Sequence, residues 1–161
     1  MTTKTAPVPE GYRTVTPSLT FKNSSKAIEF YQMAFGASVL DHLRCPNGRG
    51  TMHATIRIGD SILMMGDEMP GAECSRSAES LGGSPISLYV YVQDVDAAFK
   101  QALAAGAAAT MPVADMFWGD RCGMLKDPFG YAWMIATHSR DLTQEEIRHA
   151  AQAFCANAKK P

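Results

Sequence analysis

Slid 71 residues along itself, the chain brings Asn23 onto Asp94 and Gly59 onto Gly130. An internal period of this size means one supersecondary unit built twice, which restricts the fold more than any single motif can. Asn23 opens a run of helical spacing that stops at Gly36, and Asp94 opens a second that stops at Gly106. Both runs start on a side-chain oxygen able to accept from an orphan amide of the first turn, and both end on a residue suited to a left-handed C′ position.

Strand patterns surround each helix. Thr14 to Phe21 and Ile86 to Val92 alternate branched or aromatic residues with polar ones ahead of the two helices, as a half-buried strand does. Further short strands follow at 38–44, 51–58 and 61–65 in the first copy, and at 110–112, 123–126 and 132–136 in the second. The order is βαβββ twice, which is an α+β architecture of two tandem modules with curved mixed sheets. The expected boundaries are an N-terminal tail at 1–12, a first module at 13–66, a linker or lid at 67–85, a second module at 86–138 and a C-terminal helix within 139–161. The linker is rich in Gly, Ser and charge. Thr143 and Glu146 form a capping box for the last helix, whose apolar residues Ile147, Ala150, Ala151 and Phe154 give it one docking face.

Composition narrows the classes. The 161 residues are 46% hydrophobic, sufficient for a compact core, and 15 Lys and Arg against 16 Asp and Glu leave a formal charge of -1. That balance offers no basic surface for nucleic acid or anionic lipid, so neither is expected as a partner. No stretch approaches the roughly 18 apolar residues of a membrane span, and the first residues carry no apolar leader, which points to the cytoplasm. Cys45, Cys74, Cys122 and Cys155 lie far apart with no CxxC pair, as free thiols do in a reducing compartment.

Several motifs occurring in order give the chain a family likeness. Ala27 to Tyr31 followed by Phe35-Gly36-Ala37, the stretch Met52 to Ser61, the loop Phe117-Trp118-Gly119-Asp120-Arg121 and the run Lys126 to Trp133 resemble the PhnB-like branch of the vicinal oxygen chelate superfamily, which includes glyoxalases, bleomycin-resistance proteins and dioxygenases. The resemblance covers about Gly11 to His138. It implies two βαβββ modules whose sheets curve around one cleft, in most members with a divalent metal. Relatives of this branch often carry a methyltransferase label, but no Gly-rich loop follows a strand here as a nucleotide-type methyl donor would require.

Given such a cleft, strand alternation assigns side chains to it. Val15, Pro17, Leu19 and Phe21 form the row under the first helix, leaving Thr14, Thr16, Ser18 and Thr20 opposite; Leu88, Val90 and Val92 leave Ser87, Tyr89 and Tyr91. Met52, Ala54, Ile56 and Ile58 form a core row that turns Thr51, His53, Thr55 and Arg57 to the cleft, with Met124 as the repeat partner of His53. Met65 and Met134 come from the following strands, and Trp118 and Arg121 finish the mouth. His53 is the candidate general base or hydrogen-bond donor, since its unperturbed pKa lies near neutrality; a polar filler satisfied by Thr51 or Tyr89 is the alternative. Arg57 and Arg121 could grip a carboxylate or phosphonate, or form rim ion pairs. Trp118, Tyr89 and Tyr91 could stack on a flat, aromatic or cationic ligand, or simply pack. The methionines supply an adaptable apolar lining or plain core.

The resemblance also marks metal positions on the first and last strand of each module: Thr16 and Leu63, then Ser87 and Met134. None is a competent donor for a divalent cation, and a one-residue slip turning Leu63 into Met64 does not help. No cofactor is therefore expected. The leading expectation is a metal-independent protein binding a small, partly aromatic molecule. Behind it come a glyoxalase-like lyase, isomerase or dioxygenase with a non-standard metal site, and then a non-catalytic dimeric scaffold. A homodimer is expected because sheet edges need covering.

Overall fold

The computed structural model describes residues 5–69, 71 and 75–158. The chain divides into two compact units, 1–84 and 85–161. In the first, β1 (Ser18–Phe21), α1 (Ser24–Phe35), β2 (Ser38–Arg44), β3 (Thr51–Ile58) and β4 (Ser61–Asp67) precede a short α2 (Ala78–Leu81). In the second, β5 (Ser87–Tyr91), α3 (Val95–Ala104), β6 (Ala108–Asp115), β7 (Asp120–Lys126) and β8 (Ala132–His138) precede α4 (Gln144–Ala158). Each sheet has four strands, ordered β1-β4-β3-β2 and β5-β8-β7-β6. The first strand of each is parallel to its neighbour and the others antiparallel. The βαβββ repeat read from the sequence is present in both units.

The helices form where capping chemistry places them. Asn23 accepts from the Lys26 amide and Asp94 from the Ala97 amide, at 3.1 and 3.0 Å. Gly36, at φ 64°, closes α1 in the left-handed region that glycine enters without steric penalty. Burial then fixes which sheet face each helix covers. Leu19, Phe21, Ala54, Ile56 and Met65 are buried against Ala27, Ile28 and Tyr31 of α1, and Leu125, Trp133 and Ile135 are buried on the α3 side of the second sheet, with Val95 and Phe99 of that helix. Each fully buried Phe, Ile or Leu among them contributes roughly 1.5–3 kcal/mol.

Two expectations about the first strand are corrected. It begins at Ser18 rather than Thr14, and Val15, expected in the core row, is 83% exposed. The Thr16 hydroxyl donates to the Arg13 carbonyl at 2.9 Å, so residues 13–16 turn instead of extending; short hydroxyl side chains compete with strand pairing in this way. Met52, at the opening of β3, is likewise 39% exposed.

The last strand ties down the helix start in both units. Asp67 accepts from the Ser24 amide at 2.6 Å and the Thr51 amide at 2.9 Å, joining the first residues of α1 and β3. Thr137 does the same for the second unit, accepting from the Val95 amide at 3.0 Å and donating to the Val92 carbonyl at 2.9 Å. Asp67→Ala leaves two amides without an acceptor and is expected to lower stability by about 2–3 kcal/mol. Urea unfolding with an unchanged m-value checks this, and a loss below about 0.5 kcal/mol would show that Asp67 is not the clamp.

The expected linker is partly built into the first unit. Glu68 accepts from the Ser77 amide at 2.6 Å, and Ala78 is buried. Residues 70 and 72–74 of that stretch lie outside the described residues. At the far end the capping box is formed: Glu146 accepts from the Thr143 amide at 2.7 Å, and Thr143 accepts from the Glu146 amide at 3.3 Å. Phe154 of α4 sits 5.5 Å, ring to ring, from Phe117 of the same unit.

Candidate functional site

Each sheet has one face under its helix and one opposite, here called the open face. On the second sheet, pairing of Tyr89 with Met134 and of Met124 with Met134 puts those three on one face, together with Tyr91, Ala136, Cys122, Asp120 and His138. The opposite row, Leu88, Val90, Trp133, Ile135 and Leu125, faces α3. Gly123 belongs to that helix-facing row, because a Cβ there would run into the Phe99 ring.

Asp120, the first residue of β7, is the hub of a hydrogen-bond cluster at one end of the open face. It is 4% exposed, and four side chains converge on its carboxylate. Oδ2 accepts from the Tyr89 hydroxyl at 2.8 Å, the Tyr91 hydroxyl at 3.0 Å and the Trp118 indole N–H at 3.2 Å. Oδ1 lies 2.8 Å from Nδ1 of His138, whose Nε2 is 3.0 Å from the exposed Asp141. Burial opposes ionisation of Asp120, but hydrogen bonds from His138, Tyr89, Tyr91 and Trp118 outweigh it and hold the carboxyl below its usual value. The Asp141 and Asp120 carboxylates raise His138 above its ordinary value. Burial and the bond to Asp120 raise Tyr89; the bond to Asp120 and then burial raise Tyr91. Both phenols therefore stay protonated as donors. Their rings lie 4.9 Å apart with a 40° tilt and remain 44% and 62% exposed. The result is a solvent-facing aromatic pair fixed from beneath by one buried charge.

The other expected site residues are distributed differently. His53 is on the open face of the first sheet, Nε2 3.1 Å from the Thr55 hydroxyl. Arg57 is exposed on that same face, opposite Ile62. It lines a cavity of about 610 Å³ with Glu10, Gly11, Arg13, Leu40 and Asp60. Tyr12 reaches Thr55 at 3.4 Å, so the N-terminal segment lies across this face. Ser87 opens β5 on the aromatic face of the second sheet, paired with Ala132.

Three expectations are corrected by the registers. Met65 pairs with Leu19 and Ala54 and is buried on the helix side, as is Leu63, so Met64 and Ile62 take the open-face places. Arg121 pairs with Thr137 on the α3 side. There its guanidinium is held in a fork by Asp96, with two contacts of 2.8 Å, and by Asp115 at 3.2 Å. Finally, the open-face counterpart of His53 is Cys122; Met124 corresponds to Thr55, since each sits opposite the open-face methionine of the next strand.

Asp120 and His138 were the residues that sequence reasoning missed. The available signal was the Tyr89/Tyr91 alternation beside a short aromatic loop ending in a carboxylate.

At the positions the family resemblance marks for a metal stand Thr16, bonded to a backbone carbonyl ahead of β1, a buried Leu63 or open-face Met64, Ser87 and Met134. Hydroxyl, alkyl and thioether groups do not make a divalent site, so these residues do not fit the group. Among the described residues no cluster of three or more His, Cys, Asp or Glu side chains is arranged to hold a metal ion.

A repeated βαβββ unit with mixed four-stranded sheets defines a glyoxalase-type fold. The chain belongs to the Glyoxalase/Bleomycin resistance protein/Dioxygenase superfamily, whose profile matches residues 15–135. An uncharacterized protein of Mycobacterium bovis, Mb0911c, is 37% identical over 139 residues, spanning 84% of this chain and 90% of that protein. The crystal structure of PA1353 from Pseudomonas aeruginosa is similar at 26% identity and a TM-score of 0.63, covering 78% of this chain and 98% of that one. A Bacillus cereus PhnB protein described as a putative 3-demethylubiquinone-9 3-methyltransferase shares the fold at 21% identity and a TM-score of 0.61, over 78% of this chain and 99% of its own. No helix among the described residues is long and apolar enough to cross a membrane.

Proposed function

We propose that the chain binds a small, partly aromatic molecule on the Tyr89/Tyr91 face without a metal. The carrying observation is the pair of exposed rings whose hydroxyls, with the Trp118 indole, are fixed on buried Asp120. Rings left exposed yet held in place lose little entropy on contact with a flat ligand, which is the economy of a preformed site. Met124 and Met134 beside them supply a deformable apolar rim. Dimerisation and residence in the cytoplasm form part of this reading; it takes support for the latter from Cys45, Cys122 and Cys155, which are free thiols.

Titration with quinoline, followed by Trp118 fluorescence and calorimetry, tests the reading. Tyr91→Ala is expected to weaken binding about tenfold, a stacking loss of roughly 1–2 kcal/mol. Unchanged affinity in that variant removes the tyrosine pair from the site.

A second reading, proton transfer, is favoured by one observation. Nδ1 of His138 faces buried Asp120 and Nε2 faces exposed Asp141, so both carboxylates favour the protonated ring, which suits a proton donor rather than a base. Exchange of a substrate C–H proton that disappears in His138→Gln while ligand affinity persists would favour it over binding alone.

A further inference from the structure

Both tyrosine hydroxyls of the aromatic face donate to the same carboxylate oxygen, at 2.8 and 3.0 Å. A phenol that donates to a carboxylate shifts electron density into its ring, because a hydrogen-bonded donor is polarised by its acceptor and the effect is strong away from bulk water. The face of such a ring attracts cations more strongly than that of a free phenol. Here two rings share one anion, and that anion is buried beneath them rather than available to the ligand as a partner.

The surrounding charges do not cancel this. Asp120, His138 and Asp141 form one hydrogen-bonded row, net negative whichever form the imidazole takes. Arg121, two positions from Gly119, faces α3 and is engaged by Asp96 and Asp115. Lys126 is on the open face but six positions along β7 from Asp120, roughly 20 Å away in an extended strand and so beyond the roughly 8 Å screening length of physiological salt. Arg140 follows this row and is the one opposing cation beside it; its side chain is exposed and in no ion pair among the described residues, so solvent screens its charge.

We infer that the Tyr89/Tyr91 face selects cationic aromatic or quaternary ammonium ligands over neutral ones of the same shape, with Asp120 acting as a positioning and polarising residue behind the rings. This rests on the binding reading given under Proposed function and names its ligand class. The first sheet lacks the device: at the position equivalent to Asp120 it has Thr51, engaged by His42 at 2.9 Å. Selectivity for cations is thus assigned to the second unit alone.

The test compares N-methylquinolinium with quinoline, which has nearly the same outline and is uncharged near neutral pH. The full chain is expected to bind the cation about threefold to thirtyfold more tightly, the range that a cation–π contact supplies. In Tyr89→Phe/Tyr91→Phe the rings stay but the polarising bonds are lost, so the ratio of the two affinities is expected to fall several-fold. Because Asp120→Ala removes a buried centre, the phenylalanine pair is the primary variant, with circular dichroism confirming its fold. Binding of neither probe overturns the binding reading, and the cation preference with it. Equal binding of both overturns the preference and leaves the binding face standing. A preference that survives unchanged in the double variant overturns its assignment to the tyrosine–carboxylate arrangement.

Discussion

Asp120→Ala is expected to lower the melting temperature by about 5–15 °C, the larger part of it from one carboxylate serving four donors. Its removal leaves the half-buried Trp118 indole without its acceptor, while the two tyrosine hydroxyls and the His138 imidazole belong to side chains exposed enough to find water. Deleting a buried carboxylate that anchors a hydrogen-bond network costs roughly 2–4 kcal/mol. A chain of this size loses about 2–4 °C per kcal/mol. Asp120→Asn keeps the shape but turns an amide toward donors, so it should recover only part of the loss.

The same cluster sets a pH dependence with two limits. Asp120 is held below its ordinary value of 3.8, so its contribution is present above that value and lost as pH falls through the lower folded one. His138 is raised above 6.5 by Asp141 and Asp120, so its contribution is complete below 6.5 and lost as pH rises through the higher folded value. Stability from this cluster is therefore greatest between about pH 4 and 6.5. A proton NMR titration of His138 checks it: the midpoint should lie above 6.5, fall in Asp120→Asn, and remain partly raised because Asp141 persists.

How the cluster escaped the sequence is instructive at particular residues. Local chemistry was legible: Asn23, Asp94 and Thr143 cap the helices they were expected to open, and β2 and β3 have the bounds that alternation assigns them. A single offset of 71 was not sufficient across the units. Sheet pairing relates Ser18 to Tyr89 by 71, Met64 to Met134 by 70 and Thr55 to Met124 by 69. The turn before β4 is the two residues 59–60, whereas that before β8 runs 127–131 around Asp127, which accepts from the Phe129 and Tyr131 amides and the Trp133 indole. One residue of slip reverses the face of every side chain beyond it, which is why Met65 and Leu63 were assigned to the wrong side. Tyr89 and Tyr91 were placed on the open face because their strand carries its own apolar row. Asp120 could not be, since a partner 31 positions away is a property of strand pairing rather than of local pattern.

Gly119→Ala should be the most damaging small substitution in the second unit, although it adds only a methyl group. Gly119 has φ +102°, outside the region that residues with a Cβ occupy readily, and the added carbon would collide with the backbone carbonyl of Arg140. Neither side can yield cheaply. The Gly119 carbonyl accepts the Ser139 and Arg140 amides, both at 3.0 Å, so the loop carrying Trp118 and Asp120 is fastened to the chain leaving β8 just after His138. Backbone strain of about 1–3 kcal/mol plus displacement of a fixed strand end gives an expected loss of at least about 3 kcal/mol. The same displacement pulls Trp118 and Asp120 from the tyrosine hydroxyls, so quinolinium affinity should fall together with stability. Calorimetric unfolding and a probe titration on the same sample check the pair. Stability lost while the affinity ratio of the two probes stays at the wild-type value would show that the loop anchors the fold without positioning Asp120.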